Sequence, residues 1–410
     1  MSSQKNSLYA ATCLAVVPFA VMAQPQFQGQ GQVVTGEPKT FEFNAGLGYQ
    51  HDSNVFRLSD QSNAQALIGT PDRSDDITNA SVGLKFNKAY GLQRFEAEGR
   101  VENTRYSRFS NLDFTAVNYA AAWRWSLTPA FRGNLTTDRR EYVDNTADVQ
   151  NQGQVNRRTA RTNRLDGEYD VDGVWRLLGG VFKTTNSNSQ ASTFEGESDI
   201  LATEVGVRYA LPYGASVAYR FRNGDGKYSN QSTPGSINSD FKDRQHEIEG
   251  TWEGGRARVV GRISHLERNY NSIPFRDFSG VVGQADITYV LTGKTSLTGG
   301  FGRELGSYQT NTSSYYEGTR VFGGPTWRAT DNITVRARYD YGVRNFKGAL
   351  PGFVAANRED KISLASASIE WQPVRLLSLM LWAQRDQRKS SELRADYKSN
   401  AVGVSAKATF

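Results

Sequence analysis

The sequence predicts an all-β protein, a transmembrane antiparallel outer-membrane β-barrel of about 18 strands. Three observations carry this expectation. The closing run Ala401–Phe410 places Val402, Val404, Ala406, Ala408 and Phe410 on one face and small or polar residues on the other, the two-residue period of a strand set between lipid and water. Long polar segments rich in Asn, Ser, Asp and Gly alternate along the chain with very short turns. Tryptophans recur at one topological height.

At the N-terminus, Lys5 precedes an apolar stretch from Leu8 to Val21, with Val21 and Ala23 before the expected cut, so residues 1–23 read as a cleaved secretory signal. Cys13, the single cysteine, lies inside that stretch, which leaves the mature chain without a disulfide or a lipid-anchored cysteine. Residues 24–39, rich in Gln and Gly, read as a flexible periplasmic segment, and residues 40–410 as the barrel. Only 38% of the 410 residues are hydrophobic and the mean hydropathy is −0.57. That is little material for a large water-soluble core but suits a barrel with a wet interior.

Short turns are expected near Lys88–Gly91, Thr128–Ala130, Asp172–Gly173, Pro212–Gly214, Gly254–Gly255, Thr292–Lys294, Thr330–Asn332 and Gln372–Arg375, each with Gly, Pro, Asn or Asp to turn tightly. Longer loops centre near residues 51–76, 107–114, 143–157, 184–199, 223–241, 267–277, 306–315, 344–360 and 387–396. This asymmetry separates periplasmic turns from extracellular loops. Trp125, Trp252, Trp327 and Trp371 each precede an expected periplasmic turn and Trp175 follows one, which reads as an aromatic girdle at one membrane edge. Outward strips are expected at Leu201, Val205, Val207, Tyr209 and Leu211, at Val335, Ala337, Tyr339 and Tyr341, and at Leu377, Leu379 and Leu381.

Parity sends the charged residues of these strands to the lumen. Arg94, Glu96, Glu98, Arg100 and Glu102 share one lumen face, and Arg164, Asp166, Glu168 and Asp170 another. A Lys or Arg facing mid-depth hydrocarbon would cost about 2–4 kcal/mol. Register about the Gly254–Gly255 turn is expected to put Glu247 opposite Arg262, a wall-stabilising pair. About Pro212–Gly214 it is expected to put Arg208 opposite Arg220 with Arg222 nearby, a cluster of like charges and so the better functional candidate. The net charge of +6 does not establish an anion-selective tunnel, because acids and arginines are similarly frequent at the assignable lumen positions. Acids around Glu98 and Glu168 and arginines around Arg208, Arg220, Arg336 and Arg338 are expected to segregate, giving a transverse field that would orient a polar solute.

Motifs for catalysis and metal binding are scarce. Gly293-Lys294-Thr295 lacks the upstream Gly of a phosphate-binding loop, since Thr288 stands there, and Gly300-Phe301-Gly302 lacks the third Gly of a dinucleotide site, since position 305 is Leu305. There is no Gly-x-Ser-x-Gly elbow and no His-Glu-x-x-His run. His246 and His265 are expected to lie diagonally close on the outward face, as an interfacial polar contact. Asp72, Asp75 and Asp76 lack a recognised calcium spacing and read as a solvated acidic loop. No enzyme, metal or cofactor is expected.

Several segments carry a family resemblance. His51-Asp52-Ser53-Asn54-Val55-Phe56-Arg57-Leu58, Tyr90-Gly91-Leu92-Gln93-Arg94-Phe95-Glu96, Leu112-Asp113-Phe114, Asn118-Tyr119, Trp123-Arg124-Trp125, Arg276-Asp277-Phe278-Ser279-Gly280 and Ser313-Ser314-Tyr315-Tyr316 resemble the EpsL family across most of the mature chain. The resemblance implies an outer-membrane component of exopolysaccharide biosynthesis and export, associated with exosortase systems, and supplies no catalytic set. The expected partners are outer-membrane lipid, the barrel-assembly machinery, polysaccharide, and periplasmic and inner-membrane exopolysaccharide machinery, with no nucleic acid. Resemblance to bacterial outer-membrane proteins further implies that the terminal Phe410 is an insertion signal. The favoured expectation is a passive conduit for polysaccharide, with Arg94, Arg100, Arg208, Arg220, Arg222, Arg336, Arg338, Glu98 and Glu168 as wall contacts. A small-solute porin or an enzyme that modifies polysaccharide is the alternative.

Overall fold

A computed structural model describes residues 40–143, 156–189, 197–229, 239–307, 312–349, 352–355 and 357–410. The expected signal and the segment 24–39 lie outside the described residues. In chain order the strands are β1 (Phe41–Asp52), β2 (Asp75–Tyr90), β3 (Gln93–Tyr106), β4 (Phe114–Ser126), β5 (Phe131–Val143) and β6 (Arg157–Asp170). They continue as β7 (Trp175–Asn188), β8 (Ser198–Ala210), β9 (Ser216–Tyr228), β10 (Phe241–Gly254), β11 (Ala257–Tyr270) and β12 (Phe278–Val290). The last six are β13 (Thr295–Ser307), β14 (Tyr315–Arg328), β15 (Ile333–Lys347), β16 (Glu359–Val374), β17 (Leu377–Ser390) and β18 (Tyr397–Thr409).

Each strand pairs antiparallel with its chain neighbours, and β1 also pairs with β18 from Asn44↔Thr409 to Asp52↔Ala401, which closes the sheet into an 18-stranded barrel. Closure removes the free edges that an open sheet would present to lipid. The shortest strand, β1, has 12 residues. At about 3.3 Å per residue and a tilt of about 40°, that length crosses about 30 Å, the hydrocarbon thickness of a bilayer.

Alternation decides which side meets lipid. Leu47, Val205, Tyr339, Leu381, Val402 and Val404 face outward and are exposed, as the sequence predicts. Of the five expected girdle residues, Trp175, Trp252, Trp327 and Trp371 are exposed near the short-turn end, whereas Trp125 is only half-exposed there, edge-on to Phe131, and Trp123, two residues earlier, is exposed beside it. Trp382 instead faces inward. At 7% exposure it lies in the lumen over Gly403, where a Cβ would come within 2.7 Å of the indole.

All eight short turns lie at or beside their expected positions, but those of β2–β3, β10–β11 and β16–β17 come later, at Gly91-Leu92, Gly255-Arg256 and Arg375-Leu376, and the register about Pro212–Gly214 also differs from expectation. The β10–β11 turn is Gly255-Arg256, closed by Gly254↔Ala257, with Gly255 in the left-handed region at φ 57°. That single-residue displacement moves every cross-strand partner by two, so Glu249 faces Arg262 and Glu247 faces Ser264. The β8–β9 connection closes at Ala210↔Ser216, so Arg208 faces Ala218 and Arg220 faces Gly206. Both expected pairings are thereby corrected.

Candidate functional site

The lumen wall is built from the inward residues of every strand, and its charges are coupled in chains. On one side Arg132 (β5) donates to Glu168 (β6) at 2.8 Å, and Glu168 also accepts from Arg176 (β7) at 3.3 Å and from Arg208 (β8) at 2.8 Å. Arg208 lies 3.8 Å from Glu249 (β10), which takes Arg220 (β9) at 3.0 Å, and Arg220 reaches Glu247 at 3.4 Å. Beside this chain, Glu204 (β8) bridges Arg164 and Arg222, the latter at 3.0 Å, and Glu204 is only 4% exposed. The ring of Phe182 (β7) lies beneath both guanidinium groups, at 5.6 and 5.1 Å.

A second group of two arginines, a carboxylate and a phenyl ring stands on β14 and β15. Asp340 (β15) accepts from Arg338 at 2.7 Å and from the Nε of Arg320 (β14) at 2.9 Å, and the two guanidinium groups lie 3.9 and 5.0 Å from the ring of Phe322. Gly300 on β13 makes room for that ring, since a Cβ there would fall 2.6 Å from it. Arg336 pairs with Glu370 at 2.7 Å, Arg94 with Glu96 at 2.8 Å and Arg100 with Glu102 at 3.3 Å. Glu98 faces the lumen opposite Lys85, which itself reaches Glu42 at 3.7 Å.

These contacts overturn two expectations. Arg208, Arg220 and Arg222 are not a cluster of uncompensated like charges, because Glu168, Glu204, Glu247 and Glu249 surround them. Nor do acids and arginines segregate: Glu168, assigned to an acidic sector, binds Arg208, assigned to a basic one. Side chains two strands apart meet across the curved wall, which single-hairpin register cannot reveal.

The mouth is narrowed by loops whose role the sequence reading missed. The first long loop, residues 53–74, contains helix α1 (Ala64–Ile68) and packs Val55, Phe56, Leu58 and Ala64 against Ile77, Phe109 and Leu112. Ile77 shares the inward parity of Asn79 and Ser81, so this apolar cluster caps the lumen side of β2–β4. Arg57 adopts φ 54° and clamps the loop to the opposite flank, with Nη1 2.8 Å from Asp52 and Nε 3.3 Å from Asp386. Burial alone would lower the guanidinium pKa, but Asp52, Asp386 and Tyr397 hold it above the ordinary arginine value. Asn54 fixes the turn through bonds to Leu58 and to the Lys398 carbonyl at 3.0 Å. Across the mouth, Tyr228, Phe241, Tyr270 and Ile273 form a second buried cluster, with Arg268 stacked 4.2 Å from the Phe241 ring. Three apolar residues within Val55–Leu58, in a segment otherwise suited to water, are the sequence signal for an inward loop.

Asp72, Asp75 and Asp76 have separate partners. Asp72 pairs with Arg108, Asp75 accepts from the backbone N–H groups of Arg108 and Phe109, and Asp76 bonds His51. His246 and His265 face outward as expected but stand directly opposite each other rather than diagonally.

Residues 261–410 match the family described as "Putative beta-barrel porin 2". Among solved structures, Pseudomonas aeruginosa OpdQ is 12% identical over 90% of this chain and 97% of its own, with a TM-score of 0.48. Pseudomonas aeruginosa OpdK, solved with vanillate, is 10% identical over 92% of this chain and 100% of its own, also with a TM-score of 0.48. Acinetobacter baumannii OccAB4 is 10% identical over 91% of this chain and 99% of its own, with a TM-score of 0.46. No curated protein matches the chain. The closed, lipid-belted sheet and the family match together make this chain a porin-like barrel of the bacterial outer membrane.

Proposed function

We propose that the barrel is a passive conduit for hydrated polysaccharide in exopolysaccharide export. The observation that carries this reading is the charge-compensated wall: arginines and carboxylates alternate along the ladder from Arg132 to Glu247 and around Phe182 and Phe322. Such a surface offers many donors and acceptors to sugar hydroxyls with little net field to trap them, so contacts exchange easily as a chain moves. A channel that selects small ions would gain from segregated charges instead. The resemblance of the His51–Leu58 run and the other quoted segments to the EpsL family supports the same substrate class. The conduit makes and breaks no bonds, and the assembly that polymerises the glycan drives transport.

A small-solute porin is the second reading, favoured by the apolar cap of Val55, Phe56 and Leu58 over part of the mouth. Cells lacking the chain separate the two. Polymer retained in the periplasm with sugar uptake intact supports the conduit, whereas normal export with impaired uptake of small sugars removes it.

A further inference from the structure

Outward-facing cations at the extracellular edge usually meet an acid across the sheet. Lys227 stands opposite Asp199, Lys242 opposite Asp225, Arg244 opposite Glu267 and His51 opposite Asp76. The rim of β16–β18 is different. There Lys361 stands directly opposite Lys389, Lys398 opposite Gln387, and Arg385 between Ala365 and Asn400. All four cations are exposed. Glu359, on the same strand as Lys361 and 3.1 Å from it, is the one carboxylate this patch engages among the described residues. Like charges directly opposite destabilise a sheet, and strands about 4.8 Å apart leave them no room to separate.

We propose that this rim binds the phosphate groups of the phosphorylated glycolipid of the outer leaflet. A phosphate offers several acceptor oxygens to ammonium and guanidinium groups at once and turns the Lys361–Lys389 opposition into a bridge. Depth on the barrel agrees with this chemistry. The cations sit beside the long loops, at headgroup level, while the same strands continue toward the periplasm through Ala365, Ala367 and Ile369, through Ala383 and Leu381, and through Val402 and Val404. That outward surface is smooth and apolar, and acyl chains attached to the bound headgroup would lie along it. Gln387 and Asn400 add side-chain amides within the patch. The proposal concerns the outer surface and does not depend on what the lumen conducts.

The test uses the purified full barrel in detergent with doubly phosphorylated lipid A as the probe, its dephosphorylated form and inorganic phosphate as comparisons, and native mass spectrometry as the readout. The variant K361Q/R385Q/K389Q/K398Q is expected to bind the phosphorylated probe at least tenfold more weakly than the parent, while K242Q/R244Q, whose cations already face acids, changes it less than twofold. The dephosphorylated lipid is expected to bind the parent at least tenfold more weakly. Equal binding by the quadruple variant, or equal affinity for both lipids, would overturn the proposal, and inorganic phosphate binding as tightly as the lipid would make this a free-anion site instead. K389E keeps the idea exposed if the quadruple variant folds poorly. It places an acid opposite Lys361, so it is expected to raise the unfolding temperature of the lipid-free barrel while weakening probe binding; retention of full binding overturns the assignment.

Discussion

Replacing Arg57 by Met should unseat the loop that caps the mouth. The Arg57 side chain is 8% exposed and its partners Asp52 and Asp386 are 6% and 8% exposed, so the substitution strands two buried carboxylates. Removing one partner of a buried ion pair costs about 3–5 kcal/mol. Asp52 keeps the backbone N–H of Asn54 and the Ser399 hydroxyl as donors, which sets the expected loss near the lower end, about 3 kcal/mol. At 1.4 kcal/mol per decade that lowers the ratio of seated to released loop by about a hundredfold. Met shares Arg's intolerance of the left-handed backbone at this position, so the change isolates the ion pair rather than strain. The assay is the labelling rate of Ala64→Cys, a position 6% exposed inside the cap, by an impermeant maleimide. The rate should rise about a hundredfold in the Arg57→Met background, with a parallel increase in single-channel conductance. A rate within threefold of the parent would show that Arg57 is not the clamp. The raised guanidinium pKa keeps Arg57 charged from neutral pH up to the ordinary arginine value, so mild alkalinisation should not open the mouth.

Arg222→Gln should destabilise the barrel by about 1.5–3 kcal/mol in urea unfolding, because Glu204 loses one of its two guanidinium partners, and adding Glu204→Gln should restore much of that loss. Ser187→Cys, at the extracellular end of β7, should be labelled by impermeant reagent on intact cells while Asn332→Cys, in the β14–β15 turn, is protected; the reverse pattern means an inverted barrel. Val404→Asp or deletion of Phe410 should lower the yield of heat-modifiable barrel, since Val404 is an exposed lipid-facing residue of the closing strand. Asp72 is held at a pKa of about 2 by the Ser74 backbone N–H, Arg108 and the Ser74 hydroxyl. A depressed carboxylate pKa gives a contribution that is present above the ordinary value and lost as pH falls through about 2. Pepsin cleavage of the first loop should therefore stay slow at pH 4 and accelerate only toward pH 2.

What the sequence could and could not reveal follows from the range of each physical signal. A two-residue period is local, so Leu381, Val404 and most of the girdle tryptophans were legible, and turn chemistry at Gly91, Pro212 or Asn332 located the short-turn end of the barrel. Register depends on which glycine of a pair takes the positive φ. Gly254 and Gly255 are indistinguishable in sequence, and assigning the wrong one displaced Glu247 from Arg220 to Arg262. Ion pairs such as Glu168–Arg208 span two strands and depend on barrel curvature, which no hairpin rule contains. The inward turn of the first loop depends on Asp386 and Lys398, more than 300 residues away, and only its apolar residues advertised it.

Those distant partners also impose an order on assembly. Ser53 donates to the Asn400 carbonyl, the Ser399 hydroxyl donates to Asp52, and Arg57 reaches Asp386, so the cap joins chain segments separated by as many as 347 positions. Contacts of such long sequence separation form late, after the entropy of closing the intervening loop has been spent. A nascent barrel whose final strand has not yet met β1 therefore has the apolar seat of residues 53–74 on Ile77, Phe109 and Leu112 but none of the polar partners that fix Asp52, Ser53 and Arg57. Locking of the Arg57 end of the first loop thus reports that the last strands have arrived.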